Sequence, residues 1–110
     1  MNTDLVIRIC SHDIDVEFCD PGLWSDGGLG RASLLKAKIQ VNNALSTDVM
    51  MSTLLHECMH LVSDIGDLEL SEAQVSGVAN GVFSIIKDNP DLVKELVTLV
   101  QTTKEINNGM

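Results

Sequence analysis

His56 and His60 stand four residues apart in the stretch His56-Glu57-Cys58-Met59-His60, with a glutamate directly after the first histidine. On a helix, residues four apart lie on one face, with their β-carbons about 5–6 Å apart. Two imidazoles at that spacing can hold one metal ion. Glu57 is turned aside from them but can reach a water on the metal. The pattern, HExxH, is therefore typical of a zinc hydrolase.

The motif falls within a segment that the sequence predicts to be helical. Ser46, Thr47 and Asp48 are all suitable N-cap residues, and Gly66 offers a helix stop. Apolar residues occur on more than one side between these points, so we expect the helix to be buried. Polar side chains in a buried helix need partners, and a metal ion is the simplest partner for both histidines. The alternative is a helix whose histidines are ordinary core or surface residues.

A catalytic zinc site usually has three protein ligands and a water, so this motif needs one more ligand. His12 is the only other histidine, and the acids that follow the motif are Asp64, Asp67, Glu69 and Glu72. At about 100° per residue, Glu72 lies along the edge of the apolar stripe of the next helix, where an acid needs a partner. We favour Glu72 over the alternative that it is an ordinary first-turn acid. Asp64, one turn after the second histidine, is the other candidate, as a ligand or as an acceptor for a ring N–H.

Alternation of apolar and polar residues predicts three strands. Leu5–Cys10 and Ile14–Cys19 are expected to pair as a hairpin that turns at residues 11–13. The glycine-rich stretch 20–30 is predicted to be a loop. Leu34–Val41 alternates again and predicts the third strand, which leads into the motif helix.

Two further helices are predicted after the motif. Ser71 can cap a helix that runs to about Lys87, and Asn89-Pro90 is typical of the start of another helix. The polar segment 101–110 is expected to fray. The sequence therefore predicts an α+β protein, with a small antiparallel or mixed three-stranded sheet packed on the HExxH helix and two further helices. We expect a single domain over residues 1–100.

Composition narrows the function classes. A net charge of -9 and a pI near 4.4 argue against nucleic acid or an anionic membrane as a partner. No apolar run of about 18 residues is present, and the N-terminus lacks the pattern of a secretory signal. Three cysteines make an odd count, which favours reduced thiols and a cytoplasmic location. The oligomeric state cannot be predicted.

The arrangement of these residues resembles the zincin-type metallopeptidases. More closely, it resembles small phage-encoded metallopeptidases related to the ImmA/IrrE group. The resemblance extends from about Gly30 to Leu92, and its most specific part is HExxH. The matching segments are Lys38–Val41, Thr53–His60, Leu70–Val75 and Lys87–Leu92. It implies a minimal zincin-like domain and, for a phage protein, the cytoplasm of the host cell.

The resemblance also implies roles for individual residues. His56, His60 and Glu72 would bind Zn²⁺, and Glu57 would be the general base. In such families the strand before the active helix, here around Ile39, borders the substrate cleft. The chain has no tyrosine, which excludes a tyrosine partner for the oxyanion and leaves a backbone N–H or the remaining histidine of the chain.

The function that we predict is hydrolysis of a peptide bond in a peptide or protein substrate by a zinc-activated water, with Glu57 accepting the water proton. We also expect that an extended substrate could pair with an edge strand around Ile39. The alternative is a catalytically weak or inactive phage regulatory module that binds a protein on a zincin scaffold. A third possibility is an amidase that acts on a non-peptide amide.

Overall fold

The computed structural model of the protein describes residues 5–24 and 28–108. It has the predicted α+β class, and three helices are found in these residues, as expected. The described strands number four, not three. The elements are β1 (Leu5–Ile9), β2 (His12–Cys19), β3 (Gly30–Ser33), β4 (Lys38–Asn42), α1 (Thr47–Gly66), α2 (Glu72–Asp88) and α3 (Pro90–Asn108), with a short 3₁₀ turn at Pro21–Leu23.

The sheet is mixed, with the strand order β1-β2-β4-β3. β1 pairs antiparallel with β2, β2 pairs parallel with β4, and β4 pairs antiparallel with β3. The prediction that the strand around Ile39 lies at an edge is wrong, because this residue belongs to β4, which has a neighbour on each side. The edge strands of the described sheet are β1 and β3. β3 escaped prediction because only four residues, Gly30–Ser33, form it, and it begins within the glycine-rich stretch 20–30 that we predicted to be a loop; residues 25–27 of that stretch lie outside the described part.

The predicted hairpin is confirmed with a tighter turn. Ile9 pairs with His12, so that only Cys10 and Ser11 form the connection. Both have positive φ, 47° and 69° respectively, which is the backbone of the two-residue turns that match the twist of paired strands. The predicted third strand likewise begins later than expected, since Leu34–Ala37 is a turn closed by the hydrogen bond from the Ala37 N–H to the Leu34 carbonyl (3.0 Å).

Alternation along β2 and β4 creates one apolar sheet face, and α1 packs on it. Ile14, Val16, Ile39 and Val41 are buried there, together with Leu61 of α1. Removal of these aliphatic side chains from water is the main stabilising contribution to this layer. The core therefore fixes α1, and with it the motif, against the sheet.

α1 begins where the sequence predicts but is less buried than expected. The hydroxyl of Ser46 accepts a hydrogen bond from the Val49 N–H (3.4 Å), so Ser46 is the N-cap. Gly66 is still helical, and Asp67 is the residue that leaves the helix with a left-handed backbone, φ 52°. Exposed apolar residues such as Met51, 37% exposed, show that α1 buries one face rather than all sides.

The chain divides into two compact units, one up to Asn80 and one from Gly81 onwards, so that α2 begins in the first unit and ends in the second. The single-domain expectation for residues 1–100 stays a prediction. α3 is helical as far as Asn108, through most of the segment in which we expected fraying. Residues 109 and 110 lie outside the described part. None of the described helices is long and apolar enough to cross a membrane.

α3 exposes most of its apolar side chains. The exposed fractions lie between 45% and 57% for all five of its large exposed aliphatic residues. These residues are Leu92, Leu96, Val97, Leu99 and Val100.

Candidate metal centre

Three polar side chains from two helices meet at one point. The Nε2 atoms of His56 and His60, one turn apart on α1, lie 3.1 Å from each other. Oε1 of Glu72 lies 2.7 Å from Nε2 of His56, and Oε2 lies 2.9 Å from Nε2 of His60. The two rings meet edge to face with centroids 4.9 Å apart. Both rings thus direct the same nitrogen at one carboxylate.

This geometry suits a metal ion. Zinc binds imidazole nitrogen and carboxylate oxygen at about 2.0–2.2 Å, which places tetrahedral ligand atoms roughly 3.3 Å apart. The three side chains need to spread by only a few tenths of an ångström to reach that spacing. Among the described residues, His56, His60 and Glu72 form the group whose ligand atoms all lie within 4.8 Å of one another. Two imidazoles and one carboxylate also form a donor set that zinc uses in hydrolases.

Glu72 is held at this point by the start of α2. The Ser71 N–H donates to Oε1 of Gln74 (2.8 Å), and the Gln74 N–H donates to the Ser71 hydroxyl (3.1 Å). This reciprocal pair is a capping box, and it confirms Ser71 as the N-cap. The preceding residue is tied to α1, because the Leu70 N–H donates to the hydroxyl of buried Ser63 (3.0 Å).

The side chain of Glu72 is nevertheless 68% exposed, although we expected it to face the core. Its place at the first helical residue explains this difference. A side chain in the first turn projects beyond the helix body, toward the preceding turn and solvent. The contact with both imidazoles, and not burial, therefore orients this carboxylate.

Glu57 is the residue of the motif that α1 turns inward. It is only 8% exposed. Burial raises the pKa of Glu57 above its ordinary value of 4.5; positive charge on His56 and His60 opposes the rise, and the Glu72 carboxylate adds to it. A buried carboxylate with a raised pKa, beside a candidate metal site, is a stronger base than an exposed carboxylate.

Cys58 lies on another side of the helix. It packs against the hydrophobic core. Burial and the negative charge of Glu57 raise the pKa of the Cys58 thiol to about 11. The three cysteines are free thiols; Cys10 lies in the turn before β2, and Cys19 is the last residue of β2.

A cavity of about 530 Å³ opens beside the histidines and the two glutamates. Its lining is mainly polar. It consists of Leu29, Gly30, Ser52, Thr53, His56, Glu57, His60, Glu72, Ser76 and Asn80. The space is sufficient for a short segment of a substrate next to the carboxylate of Glu57.

Several residues considered from the sequence lie elsewhere. Asp64, the alternative third ligand, is exposed on α1 and is not part of the three-residue group. His12 is exposed at the start of β2, where its Nδ1 lies 2.9 Å from the Cys10 carbonyl, and it does not line the cavity. Asp67 and Glu69 are exposed between α1 and α2.

The cavity has six other lining residues that were not predicted, namely Leu29, Gly30, Ser52, Thr53, Ser76 and Asn80. Ser76 and Asn80 follow Glu72 at intervals of four, and this spacing could have placed them on the same face of α2. Thr53 stands four residues before Glu57 and shares its face in the same way. Local sequence could not place Gly30 at the cavity, because its position there depends on the packing of a strand, β3, against a helix, α1.

No protein-family model, no curated protein and no solved structure matches this chain. The interpretation of the site therefore depends on its geometry and on the chemistry of its side chains.

Proposed function

We propose that this protein is a zinc-dependent metallopeptidase whose HExxH site is of the kind found among small phage proteins. The observation that carries the proposal is the convergence of His56, His60 and Glu72, with buried Glu57 directly beside them. These residues supply the two functions that metal-assisted hydrolysis needs, a metal-binding group and a proton acceptor.

His56, His60 and Glu72 would hold the metal. Bound zinc would supply Lewis-acid activation of water and of the scissile carbonyl. Glu57 would accept the proton of the attacking water and return it to the leaving amine. The raised pKa of Glu57 favours the first transfer, because burial disfavours the charged carboxylate and makes it a stronger proton acceptor. The cavity would bind the substrate on the polar side of α1.

The sheet edge beside the cavity is β3, and we propose that it guides the substrate in place of the strand around Ile39. Gly30, its first residue, lines the cavity. An extended peptide added to this edge would form main-chain hydrogen bonds with β3 while its scissile bond lies near Glu57.

Cleavage of a peptide library tests the enzymatic proposal. Protein purified without added metal is loaded with zinc, and its products are identified by mass spectrometry beside those of Glu57→Gln. We expect the wild type to cleave, and the variant to bind the same amount of zinc while its turnover falls by at least about 100-fold. Equal turnover of the two proteins would remove Glu57 from the mechanism. Absence of cleavage by the zinc-loaded wild type would overturn the enzymatic proposal.

The second candidate function is a protein-binding module that keeps the scaffold without efficient catalysis. The exposed aliphatic residues of α3 favour it, because contiguous exposed apolar surface often marks an interaction site. In this case Glu57→Gln would capture a binding partner as well as the wild type does, whereas Leu96→Asp would not. Cleavage of a captured protein by the wild type alone would favour the peptidase.

A further inference from the structure

We propose that Gly30 is a positioning residue for Glu57, an inference that rests on the proposed hydrolytic function. Because Gly30 has no side chain, β3 can approach α1 closely enough for its backbone to pack against Thr53 and Glu57. Any side chain at this position would displace the carboxylate that we assign as the proton acceptor.

The contact distances carry this inference. A β-carbon at Gly30 would lie 2.7 Å from Cγ2 of Thr53 and 3.3 Å from Cγ of Glu57. It would also lie 3.1 Å from the backbone carbonyl oxygen of Gln40. The first distance is shorter than real β-carbon contacts, so that one of these groups must move. The backbone of the neighbouring strand leaves no space on that side.

β3 cannot relieve the contact by moving away from α1. Gly30 pairs with Val41, which is fully buried in the core, and the Asn42 N–H donates to the carbonyl of Leu29 (2.9 Å). Retreat of β3 would break its hydrogen bonds with β4. The side chains on α1 must therefore give way.

Those side chains have little freedom of their own. Thr53 and Glu57 are 7% and 8% exposed and lie one turn apart on the same face of α1. Displacement of the Thr53 methyl group would therefore also displace Glu57 and the helix turn between the two residues. A displacement of about 1 Å of a reacting group can lower a catalytic rate by about 100-fold.

The test compares Gly30→Ala, Thr53→Ser and the double variant with the wild type. Thr53→Ser removes the methyl carbon that the new β-carbon would meet and keeps the hydroxyl. We expect Gly30→Ala to bind one zinc per chain while kcat falls by about 10- to 100-fold and KM changes by less. The double variant should recover most of that loss. Gly77→Ala is the matched control, because a β-carbon there meets nothing within 4 Å.

Crystal structures of the same variants give a readout that does not depend on hydrolysis. The Glu57 carboxylate should be displaced in Gly30→Ala and return in the double variant. A carboxylate that superposes on the wild type within about 0.5 Å in Gly30→Ala would overturn the proposal. Loss of zinc together with activity in Gly30→Ala would also overturn it, by showing a general structural role. If no protein in the series cleaves any peptide, the hydrolytic function fails, and the displacement of Glu57 still decides the packing claim.

Discussion

At the residue scale, the candidate site depends on local helix geometry and on one contact between helices. The HExxH spacing suffices to predict that His56 and His60 share a face and that Glu57 turns aside. The position of Glu72 depends on how α2 returns along α1, so the sequence could only rank it above Asp64. Its exposure could not be predicted, because this depends on how far the first turn of α2 projects.

The raised pKa of Glu57 predicts a stabilising substitution in the metal-free protein. The folded state holds the Glu57 proton more tightly than the unfolded state does, because burial disfavours the charged form. Ionisation therefore reduces the stability of the wild type as pH rises above the ordinary value of 4.5. We expect Glu57→Gln to raise the unfolding temperature at pH 7, and the gain to vanish below about pH 4.5. Glu69→Gln, at an exposed position, should show no comparable gain. A pH-independent difference between wild type and Glu57→Gln would contradict this explanation.

The three thiols should differ in reactivity. With the pKa of Cys58 near 11, about a thousandth of this thiol is ionised at pH 8. Cys10 is exposed in the hairpin turn. We expect iodoacetamide at pH 8 to alkylate Cys10 of the native protein at least about 100-fold faster than Cys58, as measured by mass spectrometry of the peptides. The difference should disappear in denaturant. Equal alkylation rates of Cys10 and Cys58 in the native protein would show that burial does not protect Cys58.

At the scale of the elements, the strongly patterned segments were predictable and the short ones were not. β1, β2 and α1–α3 follow clear periodicities or cap signals. β3 has only four residues, too few for a clear alternation of apolar and polar types, and its strand character depends on pairing with β4. The parallel pairing of β2 with β4 is a nonlocal property. It places β4 inside the sheet and assigns the edge near the cavity to β3.

The capping box at the start of α2 should affect both stability and metal binding. Ser71→Ala removes the acceptor for the Gln74 N–H, and loss of a serine N-cap costs about 1 kcal/mol. Because Glu72 is the next residue, fraying of this turn should also weaken zinc binding several-fold. Ser84→Ala is the matched control, since Ser84 bonds to Asp88 late in the same helix. Isothermal titration with zinc and thermal unfolding measure both effects. Unchanged affinity in Ser71→Ala would show that the cap does not position Glu72.

At the scale of the whole molecule, apolar burial is distributed unevenly. The core identified by the structure lies between the sheet and α1, whereas the aliphatic residues of α3 remain about half exposed. The sequence predicts the apolar stripe of α3 but not its exposure, because periodicity shows which side chains share a face and not what covers them.

This uneven burial predicts different costs for the same substitution. Leu61 is fully buried, so Leu61→Ala should lower the free energy of unfolding by about 2–5 kcal/mol. Leu99 is 55% exposed, and Leu99→Ala should cost less than about 1 kcal/mol. Urea denaturation of both variants at low protein concentration measures the difference. A comparable loss in Leu99→Ala would show that α3 is buried in solution.

The most direct measurement of the central claim is X-ray absorption spectroscopy of the zinc-loaded protein. We predict one zinc per chain with two imidazole nitrogens at about 2.0–2.1 Å and a carboxylate oxygen at about 2.0–2.2 Å. In Glu72→Gln the carboxylate contribution should be lost and the affinity reduced, while the imidazole contribution remains. Failure to bind zinc, or a coordination shell without imidazole, would contradict the assignment of His56, His60 and Glu72 as one metal centre.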